Sequence, residues 1–383
     1  MQFKDVVGQQ TVKHKMADMV NTGRLPHAIM LLGPEGNGNL PLALAFTQYI
    51  QCENKQEDDS CGTCSSCLKN QKYIHPDVHF TYPVVPKKSG EPPVSTDYIV
   101  DWRSALALNP YMNVNEWLQS IEAENRQGNI TVRECHEIIR HLNLKTYESD
   151  FKVQIIWLAE YLKEAGNTLL KVIEEPPADT IFILIVENIE MVLNTIISRT
   201  QLIKANAIDD ADIKDVLLKR FEMDEPTARR IARIADGNFN SALNIADGQE
   251  SDNDKLLHKW LVCCFNLKLK PSAGNGQNLV EWIEEIAKIG RENQKIFLKY
   301  ALFFLRECAL LSLTGQSEKL EGEELKFATG LTSKLGGDQF DTLSAIINQI
   351  YYHIERNANP KILFMSNSFK IASVFKNEVV EIE

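Results

Sequence analysis

The sequence predicts an α/β protein, with a parallel sheet covered by helices on both faces in its N-terminal half and an all-helical C-terminal half. Three observations carry this. Three short apolar runs, at 28–32, 153–158 and 180–186, are separated by helical patterns, and strands apolar on both faces belong to parallel sheets buried between helix layers. The first run leads directly into the glycine-rich turn Gly33-Pro34-Glu35-Gly36-Asn37-Gly38 and then a helical stretch at 40–50, the strand–loop–helix order of a phosphate-binding unit. Beyond residue 208 the apolar spacing is helical throughout.

The elements follow in order. In the helix at 40–50, Leu42, Leu44, Ala45 and Ile50 are the inward positions. Between 80 and 129 the pattern weakens. Pro83, Pro86, Gly90, Pro92 and Pro93 mark an irregular excursion, an insertion or elaborated connection with short helices at 102–108 and 114–121. Residues 208–247 carry two helical stripes: Ile213, Val216, Leu217 and Phe221, then Ala228, Ile231, Ala232 and Ala235. Gly237-Asn238 stops the second. Residues 248–254 form a polar linker, and 270–276 a loop between later helices. Helices are expected at 292–313, 340–354 and 360–374, their aromatic stripes packing helix against helix.

A length of 383 residues suits two or three domains. Apolar content of 44% and charged content of 24% are those of a soluble globular protein. No run of 18 apolar residues occurs, so no membrane span is expected. The chain starts on folded-type sequence with no signal-peptide pattern, so a cytoplasmic protein is expected. A net charge of −11 argues against a large autonomous DNA-binding surface, because neutralising phosphates takes clustered Lys and Arg. Any role on nucleic acid then runs through protein partners.

A working phosphate loop reads G-x-x-x-x-G-K-[ST]: its lysine reaches the β- and γ-phosphates and its hydroxyl holds Mg²⁺. Here Gly33, Gly36 and Gly38 are present, but Asn39 stands at the lysine position and Leu40 at the hydroxyl position. Asparagine has no charge, and leucine cannot ligate a hard cation. The loop is a degenerate nucleotide site or an ordinary glycine-rich turn, and no functional ATP site is expected.

Four of the eight cysteines cluster as Cys52-x8-Cys61-x2-Cys64-x2-Cys67. Four thiolates suit tetrahedral Zn²⁺ and leave no open coordination position, so the metal is structural. An iron–sulfur cluster takes the same ligands. Free thiols are the remaining alternative, disulfides being rare in a reducing compartment. His75 and His79 are close in sequence, but four sulfurs already complete a site. Cys135, Cys263, Cys264 and Cys308 sit among apolar residues and read as small buried hydrophobes.

Together these residues resemble the bacterial clamp-loader branch of the AAA+ proteins. Phe3-Lys4-Asp5-Val6-Val7-Gly8-Gln9 resembles the family's F-x-D-V-[VI]-G-Q box, and Leu25-Pro26-His27-Ala28 with Leu32-Gly33-Pro34-Glu35-Gly36 its entry to the phosphate loop. The cysteine spacing matches its zinc module. Ala165-Gly166-Asn167-Thr168-Leu169-Leu170-Lys171-Val172-Ile173-Glu174-Glu175-Pro176-Pro177 is similar to the long A-x-N-x-L-L-K-x-[LI]-E-E-P-P signature. Ser198-Arg199-Thr200 falls where the family has Ser-Arg-Cys. The similarity covers about 1–78 and 130–247.

The departures from the family are as informative. Besides Asn39 and Leu40, Trp157 and Leu158 stand where motor subunits place an acidic pair, and Asn240 stands where the second sensor motif has arginine. The resemblance implies a subunit that does not hydrolyse ATP and is not itself an enzyme. It implies a nucleotidase-like domain at 1–207 with an embedded zinc module, a helical lid at 208–247 and an oligomerising helical collar at 255–383. Its partners would be motor subunits and a delta subunit, with the sliding clamp and primed DNA met through the complex during replication. Arg199 would project into a neighbour's ATP site, since a guanidinium stabilises charge on a transferring phosphoryl group. Without the resemblance, a lone arginine here reads as half of a surface salt bridge. An active motor subunit of the same family, or a zinc-dependent DNA-binding module, remain the alternatives.

Overall fold

The computed structural model describes residues 1–383 apart from 88–89, 124–125, 250–252, 270–272, 318, 321, 357, 377 and 379–383. Two compact units divide the chain, Met1–Ala246 and Asp247–Glu383.

The first unit is built on five strands: β1 (Ala28–Leu32), β2 (Val78–Thr81), β3 (Lys152–Trp157), β4 (Thr180–Val186) and β5 (Gln201–Lys204). They lie in the order β2-β3-β4-β1-β5, and every neighbouring pair is parallel. Because successive side chains point to opposite faces, the apolar runs feed two separate layers. Ile29, Leu31, Ile155, Ile183 and Ile185 pack with helices α1 (Gln10–Asn21) and α2 (Asn39–Gln51). On the other face Met30, Ile156, Phe182 and Leu184 meet Ile138, Leu162, Leu169 and Ile173. The expected parallel sheet between helix layers is present. All thirteen residues of α2 are buried, including Leu42, Leu44, Ala45 and Ile50.

Strands β2 and β5 are absent from the sequence reading for a physical reason. Both are four-residue edge strands, and β5 has a single buried position, Ile203, between half-buried and exposed ones. A strand with one partner and one wet side needs no continuous apolar run.

Helix α3 (Ser65–Gln71) follows the cysteine turn. The excursion at 80–129 holds α4 (Ile99–Leu108) and α5 (Val114–Ser120), close to the expected helices. It is no detachable insertion: Tyr82, Val84, Trp102, Leu106 and Trp117 are fully buried in the same layer as Ile155 and Trp157. Trp102 stacks on Tyr82 at 4.0 Å between ring centroids and meets Trp117 and Trp157 at 5.1 Å. The carboxylate of Glu134, on α6 (Val132–Leu142), accepts from Thr81 Oγ1 at 2.8 Å and from the Ser95 amide at 2.7 Å, pinning the excursion to β2. Burial raises this carboxyl above its ordinary range.

A run of 3₁₀ turns from Ala159 to Leu169 leads into α7 (Leu170–Glu174), and α8 (Asn194–Ile197) precedes β5. Helices α9 (Asp210–Arg220), α10 (Glu225–Ala235) and α11 (Phe239–Asn244) complete the unit and share a small apolar cluster with Val7 and Tyr111. Helix α10 ends before Gly237-Asn238 as expected, and Asn238 caps α11 by accepting from the Ser241 amide at 2.9 Å. Phe221 departs from the expected stripe: it lies past the end of α9 and is 41% exposed.

The second unit contains α12 (Asn253–Leu269), α13 (Ala273–Lys288), α14 (Arg291–Thr314), α15 (Gly322–Thr332), α16 (Gly337–Glu355) and α17 (Pro360–Val374). Trp260 stacks on Trp282 at 4.9 Å beside Phe297 and Phe364, so the aromatic stripes form a core. Ile296 and Leu310 face outward on α14. The expected loop at 270–276 is corrected in part. Residues 270–272 lie outside the described residues, but Gly274 and Gly276 are in the first turns of α13. The linker expected at 248–254 likewise falls partly on 250–252, outside the described residues, and α12 starts at Asn253. No described helix is long and apolar enough to cross a membrane.

Trp102→Ala should lower the stability of the first unit by about 3–5 kcal/mol, read as a lower denaturation midpoint in urea. An unchanged midpoint would mean that 80–129 folds apart from the sheet.

Candidate functional site

The glycine loop joins the C-terminal end of β1 to the N-terminus of α2, where backbone amides and the helix dipole favour an anion. The loop's own side chains have taken that place. The Asn39 amide donates to Asn37 Oδ1 at 3.1 Å, and Asn37 Nδ2 donates to the Ala205 carbonyl at 2.8 Å. Asn39 Nδ2 turns back to the Gly33 carbonyl at 3.3 Å, away from any incoming phosphate. Gln9 of the N-terminal box donates to the Asn37 and Asn206 carbonyls at 3.0 and 2.6 Å.

Tyr111, carried by the 80–129 excursion, closes the loop from above. Its ring would lie 3.3 Å from a Cβ at Gly38, and its hydroxyl accepts from the Val7 amide at 2.8 Å. With Pro110, Met112, Trp157 and Glu187 it lines a cleft that leaves about 20 Å³ for the centres of water-sized molecules. That is room for one or two ordered waters and far less than a nucleotide needs. Trp157, at the expected acidic position, is buried against Trp102. Leu158 turns the chain out of β3 with φ of 56° and is also buried. Glu160, a buried carboxylate just past β3, accepts from the Glu187 and Asn188 amides at 3.1 and 3.3 Å, and burial raises its carboxyl above the ordinary range.

The α9–α11 helices are tied to this region. The Phe239 amide donates to the Gly36 carbonyl at 2.9 Å. Asn240 Nδ2 and Asn244 Nδ2 each donate to the Glu116 carboxylate at 2.8 Å, and Asn109 Nδ2 donates to Asn240 Oδ1 at 2.6 Å. Asn240, where an arginine was looked for, is therefore a buried link between α11 and the excursion. Tyr111, Asn37, Asn109 and Glu116 escaped sequence reasoning. Asn37 lay within the loop, but the others sat in the irregular stretch, and no spacing pointed them at the glycines.

The cysteines converge. Cys52 ends α2, Cys64 caps α3, and the turn between Cys61 and Cys64 requires the positive φ of +73° at Gly62. The four sulfurs lie within 4.8 Å of one another, and sulfurs about 3.8 Å apart surround a tetrahedral ion with 2.3 Å bonds. The arrangement can hold a metal ion. Amides already point at the sulfurs: Cys61 to Cys52 at 3.3 Å, Cys64 to Cys61 at 3.3 Å and Cys67 to Cys64 at 3.4 Å. Amide bonds, that from Thr63 first, draw the Cys61 thiol down to about 6, while burial pushes Cys67 up. Phe3 and Lys4 amides donate to Asp59 at 2.9 and 3.0 Å, so the cysteine turn is clamped to the N-terminal box. His75 is bonded elsewhere, to the Asp77 amide and Ser149, and His79 stacks on His141.

Arg199 lies between α8 and β5. Its Nε donates to Glu174 Oε2 at 2.8 Å and its Nη1 to the Thr195 carbonyl at 3.0 Å, and its side chain is 32% exposed. The surface salt bridge anticipated from sequence is thus present, with the arginine still reachable from outside the chain.

A parallel sheet whose first strand runs through a glycine loop into a helix N-terminus, with a small helical annex, has the architecture of the phosphate-loop proteins. Residues 8–209 match the family described as "DNA polymerase III, delta subunit", and the chain belongs to that family. It is similar to DNA polymerase III subunit gamma of Buchnera aphidicola subsp. Acyrthosiphon pisum, 26% identical over 251 residues, covering 64% of this chain and 58% of that protein. It is also similar to DNA polymerase III subunit tau of Bacillus subtilis, 24% identical over 382 residues, covering 94% of this chain and 60% of that protein. The chain thus spans less than two thirds of either relative. Among solved structures, a DNA polymerase III gamma subunit-related protein from Thermotoga maritima aligns with a TM-score of 0.38 at 14% identity, covering 96% of this chain and 99% of that one. The Bacillus subtilis DNA clamp loader delta protein aligns with a TM-score of 0.33 at 10% identity, covering 95% and 99%.

A Cβ at Gly36 would meet Asn238 Oδ1 at 1.8 Å, and the residue has φ of +71°. Gly36→Ala should therefore cost about 1–3 kcal/mol, seen as a lower thermal midpoint of the whole chain. An unchanged midpoint would mean that the loop parts from α11 freely.

Proposed function

We propose that this chain is a non-hydrolysing, delta-prime-like subunit of a DNA polymerase III clamp loader, a stator that lends an arginine to a neighbouring motor subunit's ATP site. Family membership supports the clamp-loader setting. The observation that carries the non-hydrolysing part is the closed phosphate loop, where Asn37 and Asn39 satisfy the loop's own polar groups and Tyr111 covers it. Without a lysine, a hydroxyl or an acidic pair, nothing there offsets triphosphate charge or holds Mg²⁺.

In this reading residues 1–207 are the defunct nucleotidase domain, 208–247 the lid and 255–383 the collar that joins the oligomer. The Glu116 bonds to Asn240 and Asn244 hold the lid in one place, which suits a subunit that does not cycle with nucleotide. Partners are gamma/tau-like motor subunits and a delta subunit, with the clamp and primer–template DNA reached through the complex. Cys52, Cys61, Cys64 and Cys67 hold a structural Zn²⁺ that rigidifies the turn beside the N-terminal box. Arg199 supplies cationic stabilisation to charge developing on a γ-phosphate in the neighbouring subunit.

The similarity to gamma and tau subunits favours a second reading, an active motor. ATP turnover separates the two. The chain alone should be silent, and the assembly with motor and delta subunits, clamp and primed DNA should be active. Arg199→Ala should leave assembly intact and slow the complex at least about tenfold, since an arginine finger contributes on the order of a thousandfold at the site it serves. Turnover by the chain alone would establish the motor reading, and loss of assembly in Arg199→Ala would make the arginine structural.

Cys64→Ser should abolish the one bound zinc per chain expected by atomic absorption and lower the thermal midpoint, because metal binding contributes to folding. Iron in place of zinc, or unchanged metal and melting in the variant, would refute the zinc assignment.

A further inference from the structure

Arg199 is held both from the end of α8 and from a second element. Helix α7 is anchored by Ile173 and α8 by Ile196, both buried in one apolar layer. That packing brings Glu174, the last residue of α7, against the guanidinium twenty-five positions later. The contact is directional. Glu174 Oε2 takes the Nε edge and the Thr195 carbonyl takes Nη1, while Nη2 has no partner among the described residues. A guanidinium is a rigid planar fork, so fixing one edge aims the other. Pro176 and Pro177 follow at once and stiffen the chain beyond α7. The adjacent Glu175 makes no bond to Arg199.

We propose that Glu174 is the positioning residue for Arg199, gripping its Nε edge so that the Nη2 edge faces a phosphate presented by a neighbouring subunit. This rests on the trans-acting reading of Arg199. An exposed ion pair adds little to stability, so the value of this pair lies in orientation. An arginine tethered through one carboxylate oxygen is aimed before the neighbour binds nucleotide, and the cost of ordering its side chain does not fall on the transition state.

The test uses the reconstituted complex, with kcat, KM for ATP and assembly by gel filtration measured for each variant. Glu174→Ala should lower kcat roughly tenfold with KM little changed, since a misaimed catalytic group loses that order of rate. Glu174→Gln keeps an acceptor oxygen and should retain kcat within about threefold of wild type. Glu175→Ala should behave as wild type. Glu174→Ala combined with Arg199→Ala should be no slower than Arg199→Ala alone. Unchanged or faster turnover in Glu174→Ala, or a further loss in the double variant, overturns the proposal while leaving the Arg199 reading standing. No loss in Arg199→Ala itself overturns both.

Discussion

Strands β1, β3 and β4 are squeezed between two apolar layers, and the glycine-loop cleft hangs from their carboxyl ends. Each strand buries both faces, so a one-residue slip would exchange the Ile29, Ile155 and Ile183 layer for the Met30, Ile156 and Leu184 layer. That locks the register, and the register brings the glycine loop after β1, Trp157 at the end of β3 and Glu187 after β4 around one cleft. Ligands of open parallel sheets bind at such carboxyl ends.

What that cleft does follows from how its polar groups are satisfied. Amides at a helix N-terminus seek an anion or an acceptor. Here the acceptor is a neutral carboxamide, Asn37, attached to the loop itself, so no charge has to be recruited from outside. Tyr111, from a segment otherwise fixed by the Trp102 cluster, packs over Gly38 above it. The same economy appears at Asn240, whose carboxamide joins Glu116 and Asn109 where a cation would demand a phosphate partner. These contacts join the sheet, the loop and the α9–α11 helices at one place.

The cysteine cluster and Arg199 differ in how they are held. The sulfurs converge within sixteen residues through a helix end, a glycine turn and a helix cap, so neighbouring stretches of chain bring them together. Arg199 is bonded both by the Thr195 carbonyl of α8 and by Glu174, which only the packing of α7 on α8 brings near.

The sequence by itself determined the three central strands, the glycine loop, the cysteine set and the helical second half. Burial on both faces, positive φ and the close spacing of the cysteines are local demands that leave a local pattern in residue type. The edge strands β2 and β5 left none, because a half-wet strand tolerates mixed residues. Only the tertiary structure decided that 80–129 is core, that Tyr111 covers Gly38, that Glu116 holds Asn240 and that Glu174 pairs with Arg199. Each joins residues far apart in the chain, and such contacts are set by the packing of the elements carrying them, which no spacing within either partner encodes.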